Sequence, residues 1–194
     1  MQMTVLRPRI LLGLLALALA LLSAFSLPVP ARADGAKDRA ALDKLFAQLK
    51  AAPDAAAAHE IDQRIWIYWT TPSDATLAMR MREVFIAREV GDLKGAIKLL
   101  DRLVGDYPTY AEGWNQRATL YYMIGDFEDS LKDIDEVLKY EPRHFGALSG
   151  RAMIHLQQGK RALALKDMAA ALAVHPFLDE QNLFPELKRE ITRI

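Results

Sequence analysis

Four histidines, His59, His144, His155 and His175, are the side chains of this 194-residue chain that could move protons or hold a metal near neutral pH, and cysteine is absent. Their spacing favours neither chemistry. No two histidines stand four residues apart, the arrangement that presents a metal-binding pair on one helical face. Without cysteine there is no thiolate nucleophile, thiolate ligand or disulfide. Glu141 precedes His144 by three residues, so an acid–base pair at this point is the one enzymatic reading the order of residues offers. The glycines do not cluster as a phosphate loop would; they are spread out as punctuation between helices. These features lead us to expect structural histidines, no catalytic residue, no metal and no cofactor. The aromatic run Ile65 to Trp69 ("IWIYW") puts Ile65, Tyr68 and Trp69 on one helical face, Trp66 at its edge and Ile67 nearly opposite. Packing of a covering helix is the expected role.

The elements that would carry these residues repeat. Blocks 77–110, 111–144 and 145–178 align without a gap. Glycine falls at the fifteenth place in each, as Gly91, Gly125 and Gly159, and proline near the end, as Pro108, Pro142 and Pro176. Small or near-small side chains recur at the eighth place (Val84, Ala118, Ala152) and the twentieth (Ala96, Ser130, Ala164). Each mark has a mechanical reason. Glycine ends a first helix in the left-handed conformation, and Asp92 and Asp126 after it can cap a second helix, whereas the third block has Lys160 there. Small residues let the two helices approach, and proline ends the second. Between the marks the apolar spacing is helical, as in Leu131, Ile134, Val137 and Leu138. The expected fold is all-α: a helix-turn-helix solenoid of three in-phase repeats with capping helices.

This pattern resembles the tetratricopeptide repeat family. The middle block is fullest, with Trp114, Ala118, Tyr121, Gly125, Phe127, Ser130, Ile134 and Pro142; the first departs most, with Arg80 and Glu83 at places normally apolar. The flanks read as caps. Residues 34–76 form a degenerate helix pair, with stripes Leu42, Leu45, Phe46, Leu49 and Ala58, Ile61, Ile65, Tyr68, Trp69. Residues 179–194 form a closing helix through Leu187, Ile191 and Ile194.

Residues 1–33 read as a secretory signal peptide. Arg7 and Arg9 precede the uncharged run Ile10 to Phe25, and Ala31-Arg32-Ala33 supplies a cleavage site before Asp34. Export to the bacterial periplasm follows, with membrane attachment only if this segment stays uncleaved. Removing 33 of 194 residues leaves 161, and removing three arginines turns 25 basic against 25 acidic side chains into 22 against 25. A net charge of −3 gives no electrostatic reason to expect nucleic acid.

The resemblance implies that the first helix of each block lines a concave face that binds a partner protein or peptide. On this chain its residues are Met81, Arg82, Phe85, Arg88, Asn115, Gln116, Thr119, Tyr122, Met123 and Met153. Relatives that clamp a carboxylate place lysine, asparagine and arginine at positions where this chain has Met81, Phe85, Gln116, Gly146 and Gly150, which argues against a clamp. A peptide or helix with apolar anchors suits the mixture of Met, Phe, Tyr and amides, and no small-molecule substrate is indicated. The C-terminal segment folding onto Gly146 and Gly150 is the competing use of that hollow. The expected function is a non-catalytic adaptor or assembly factor. The alternatives are an enzyme at the edge of the stack, through His144 and Glu141, or a self-associating structural protein.

Overall fold

The computed structural model of the chain describes residues 33–187. Residues 1–32 of the signal segment, Ile191 and Ile194 lie outside them. Among the described residues eight α-helices follow one another: α1 (Ala33–Lys50), α2 (Ala55–Thr70), α3 (Ala75–Glu89), α4 (Leu93–Asp106), α5 (Ala111–Met123), α6 (Phe127–Tyr140), α7 (Phe145–Gln157) and α8 (Arg161–Val174). A 3-10 helix, Asp179–Leu183, follows. Helices α3–α4, α5–α6 and α7–α8 are the three repeats, each pair packed on itself and on the next. Among the described residues there is no strand.

The local rules explain where the helices stop. Gly91, Gly125 and Gly159 have φ of 78°, 83° and 71°, the left-handed turn that lets each first helix end and the second begin. Asp92 and Asp126 then cap α4 and α6 by accepting from Gly95 N and Asp129 N, and Lys160 makes no such bond to α8. Ala96, Ser130 and Ala164, buried at the twentieth place, allow the close approach within each pair. Asp54 caps α2 after Pro53, and Asp74 caps α3 after Pro72.

The N-terminal helix pair does not lie over the front of the stack. Its stripe of Leu45, Phe46, Leu49, Ala58, Ile65 and Trp69 joins Phe145, Leu148, Ala152, Ala164, Met168 and Ala171 of the third repeat in one core. Helix α2 passes the ends of the repeats in reverse order: Asp62 meets His175, Trp69 stacks on His144, and the Tyr110 hydroxyl donates to the Trp69 carbonyl. Arg143 reaches Asp43 on α1 at 2.7 Å. Two side-chain expectations need correction with this placement. Tyr68 is exposed rather than packed, because α2 buries the narrower edge formed by Ala58, Ile65 and Trp69. The tail begins as a 3-10 helix rather than an α-helix, and it buries Phe184 in the same core as α1 and α2. On the front of the stack Met79, Ile86 and Val90 remain exposed along α3.

Candidate functional site

The residues expected to line the concave face lie on helices α3, α5 and α7 and divide into a buried set and a set that is at least partly exposed. Met81 is fully buried with Leu77, Leu103 and Val104, so it belongs to the core of the first repeat and not to the groove. The cause is the apolar spacing Leu77, Met81, Val84, which turns that edge of α3 onto α4. Asn115 and Gln116 are also buried, held by Glu112: Asn115 Nδ2 and Gln116 Nε2 donate to its two carboxylate oxygens at 3.1 and 2.6 Å. Their amides serve the protein's own carboxylate first.

That carboxylate meets His144, and the arrangement dissolves the pairing of His144 with Glu141. The His144 Nδ1 accepts from Ala147 N at 3.1 Å as the cap of α7, so Nε2 carries the proton and donates to Glu112 at 3.0 Å. Trp69 stacks on the imidazole at 4.0 Å with planes 7° apart. His144 has no exposed surface, and Glu141 is instead held by Arg143. A histidine sealed in this way has no access to a substrate. Burial pushes the neighbouring Tyr110 phenol far above its ordinary range, and the Glu112 charge adds to the rise. Sequence reasoning missed Glu112 as the hub, because its partner lies 32 residues away and no periodic mark joins them.

A second network was legible and overlooked. Arg117 holds Asp133 through two bonds of 2.8 and 2.7 Å and reaches back to Asp101 of the previous repeat at 2.8 Å. One period on, Arg151 does the same with Asp167 and Asp135. The Asp133 hydrogen bond raises the Arg117 pKa against the opposing effect of burial; for Arg151 burial opposes the charge, and Asp167 and Asp135 outweigh it. Burial pushes the Asp133 carboxyl up while Arg117 pulls it back, and the bidentate geometry describes an ion pair. These clamps bind repeat to repeat. The signal was the same 34-residue spacing that marks the glycines.

The open set gathers around one hollow. Thr119 and Tyr122 of α5 and Met153 of α7, with one edge of Asn115, line a cavity of about 190 Å³ whose floor is Ala118, Ile134, Ala147 and Ile154, with Gly146 and Gly150 opposite. Met123 is exposed beside it, and Tyr122 accepts from Gln157 Nε2 at 2.7 Å. Phe85 of α3 is half-buried against the first-repeat core, so only part of its ring faces the groove. Arg82 and Arg88 are exposed, and Arg88 donates to Gln116 at 3.2 Å. At Gly146 the close neighbour is Trp66 of α2: an added Cβ would come within 2.9 Å of its ring. Among the described residues no group of three His, Asp or Glu side chains could hold a metal, and no helix is long and apolar enough to cross a membrane.

Residues 115–179 match the family model of the tetratricopeptide repeat. Over this stretch the chain is similar to the tetratricopeptide repeat. The chain is 40% identical over 135 residues to a TPR repeat-containing protein of Rhizobium etli, an alignment covering 70% of this chain and 66% of that one. It is 28% identical over 117 residues to the tetratricopeptide repeat protein 36 homolog of Nematostella vectensis, covering 60% and 64%. The chain thus spans a little under two thirds of the length of these relatives. A crystal structure of MamA superposes with a TM-score of 0.46 at 15% identity over 78% of this chain and 93% of that one. Tetratricopeptide repeats generally mediate protein–protein interaction, through the extended concave surfaces that stacking creates.

Proposed function

We propose that this protein is a non-catalytic binding module of the bacterial periplasm, an adaptor or assembly factor that holds a segment of a partner protein in its concave face. The observation that carries the reading is the open hollow on α5 and α7, lined by Thr119, Tyr122 and Met153, with the exposed Met123 next in the chain after Tyr122. Large apolar groups left on a concave wall, with the core filled from the other side of each helix, are the usual mark of a partner site. The basic start, apolar run and Ala-Arg-Ala sequence before Asp34 support export.

A photo-crosslinking side chain at Met123 in living cells, compared with one at Leu163 on α8, tests both parts. Met123 is expected to yield a discrete adduct in the periplasmic fraction and Leu163 none, and the protein recovered there should begin at Asp34. Adducts from Leu163 alone would place binding on another surface, and a chain found only in the cytoplasm would overturn export.

A further inference from the structure

Resting on the groove reading above, we infer that the cavity opposite Gly150 is a socket for one apolar side chain of a partner peptide, flanked in that peptide by an acidic residue. Gly150 lies in the interior of α7, where glycine is a poor helix former. No close neighbour demands it. A Cβ built there meets no heavy atom within 4 Å, and its backbone does not have the positive φ that marks Gly91, Gly125 and Gly159. Gly146, one turn earlier, is different, because Trp66 covers it and leaves no room for a side chain. The emptiness at Gly150 is therefore a feature that the packing does not require.

The chemistry of the socket follows from its lining. Ala118, Ile134, Ala147, Ile154 and Met153 offer no polar group beyond the backbone. Each polar side chain of the lining already has a hydrogen-bond partner: Ser130 donates to the Ala118 carbonyl, Thr119 to the Asn115 carbonyl and Asn115 to Glu112, and the Tyr122 hydroxyl accepts from Gln157. A charged or strongly polar occupant would be desolvated with no partner to compensate it. An apolar cavity of roughly 150 Å³ holds a benzene, so about 190 Å³ accommodates a side chain of leucine or phenylalanine size. Charge supplies the flanking preference. At the sixth place of successive repeats stand Arg82, Gln116 and Gly150, and Arg88 reaches across to Gln116. Among the described residues neither Arg82 nor Arg88 forms an ion pair, and both are exposed. An acidic residue beside the anchor would meet that uncompensated charge.

Selection of random linear peptides displayed on phage against the purified protein provides the probe. The enriched peptides are expected to share one Leu, Ile, Met or Phe with Asp or Glu close to it. The Gly150→Leu variant, which fills the socket, should bind them about tenfold or more weakly, while its melting temperature stays level or rises by about 2–4 °C. Gly150→Ala should gain the same helical stability with a smaller loss of binding. Arg88→Glu should remove the acidic preference and keep the apolar anchor. Peptides held equally by the parent and Gly150→Leu, but lost with Met123→Asp, would overturn the socket and leave the groove standing. No enrichment at all, or binding indifferent to Met123→Asp and Arg88→Glu as well, would overturn both.

Discussion

Glu112 carries a charge into a site with 1% exposure, and three donors meet it there: Asn115, Gln116 and His144. Removing one member of such a network leaves the others desolvated without a partner, which costs more than the bond itself contributes. Glu112→Ala should therefore lower the unfolding free energy by about 2–4 kcal/mol. His144→Phe keeps an aromatic ring against Trp69 and gives up two hydrogen bonds, so it should cost less, about 1–2 kcal/mol. Urea melts of the two variants read this order. A Glu112→Ala protein as stable as the parent would mean that the network is solvated and His144 is open after all. Trp114, which matches the family pattern of the middle block, is only partly buried, with its indole N–H on the Pro108 carbonyl and Arg117 over its face.

Between elements, two devices hold neighbouring helices in place, and each has its own variant. Gly125 has φ of 83° and open space around it, so Gly125→Val strains the backbone without a clash. The cost should be about 1–3 kcal/mol. The Arg151 clamp joins α7, α8 and α6; Arg151→Ala leaves Asp167, which is 8% exposed, with His155 at 3.6 Å in place of its two hydrogen bonds to the guanidinium, and should cost about 2–3 kcal/mol after allowing for the partial exposure of the arginine. Thermal or urea unfolding distinguishes these from surface changes, which stay within about 0.5 kcal/mol. Restoring the balance with Asp167→Asn in the Arg151→Ala background should recover part of the loss, because the carboxylate deprived of its guanidinium is the source of most of it.

Across the whole molecule, the helix pair α1–α2 and the third repeat share one core, while the front of the first repeat stays uncovered. In a linear stack stability depends on neighbour interfaces, so the covered end should be the more protected. Amide hydrogen exchange is expected to be fastest in α3 and slowest in α7 and α8. Leu49→Ala, in that core with no exposed surface, should cost about 2–5 kcal/mol and accelerate exchange in α7 and α8 as well as in α1. Faster exchange confined to α1 would show that the helix pair is an independent appendage.

The amino-acid order determined everything that depends on residues close in the chain. The period, the helical spacing of Leu131, Ile134 and Val137, the turns at the three glycines and the caps at Asp92 and Asp126 all rest on local backbone preference. It also held the Arg117 and Arg151 clamps, which obey the same period. Tertiary structure alone decided which apolar stripe meets which. An amphipathic helix announces that it has a face to bury and not the partner that will cover it. For that reason α2 could be read as a cap, but its docking beside His144 and Phe145 could not. The same limit separates the concave residues. Gln116 holds the same place in its repeat as Arg82, yet Gln116 is buried on Glu112 while Arg82 is exposed, because what packs against each helix differs and the period does not encode it.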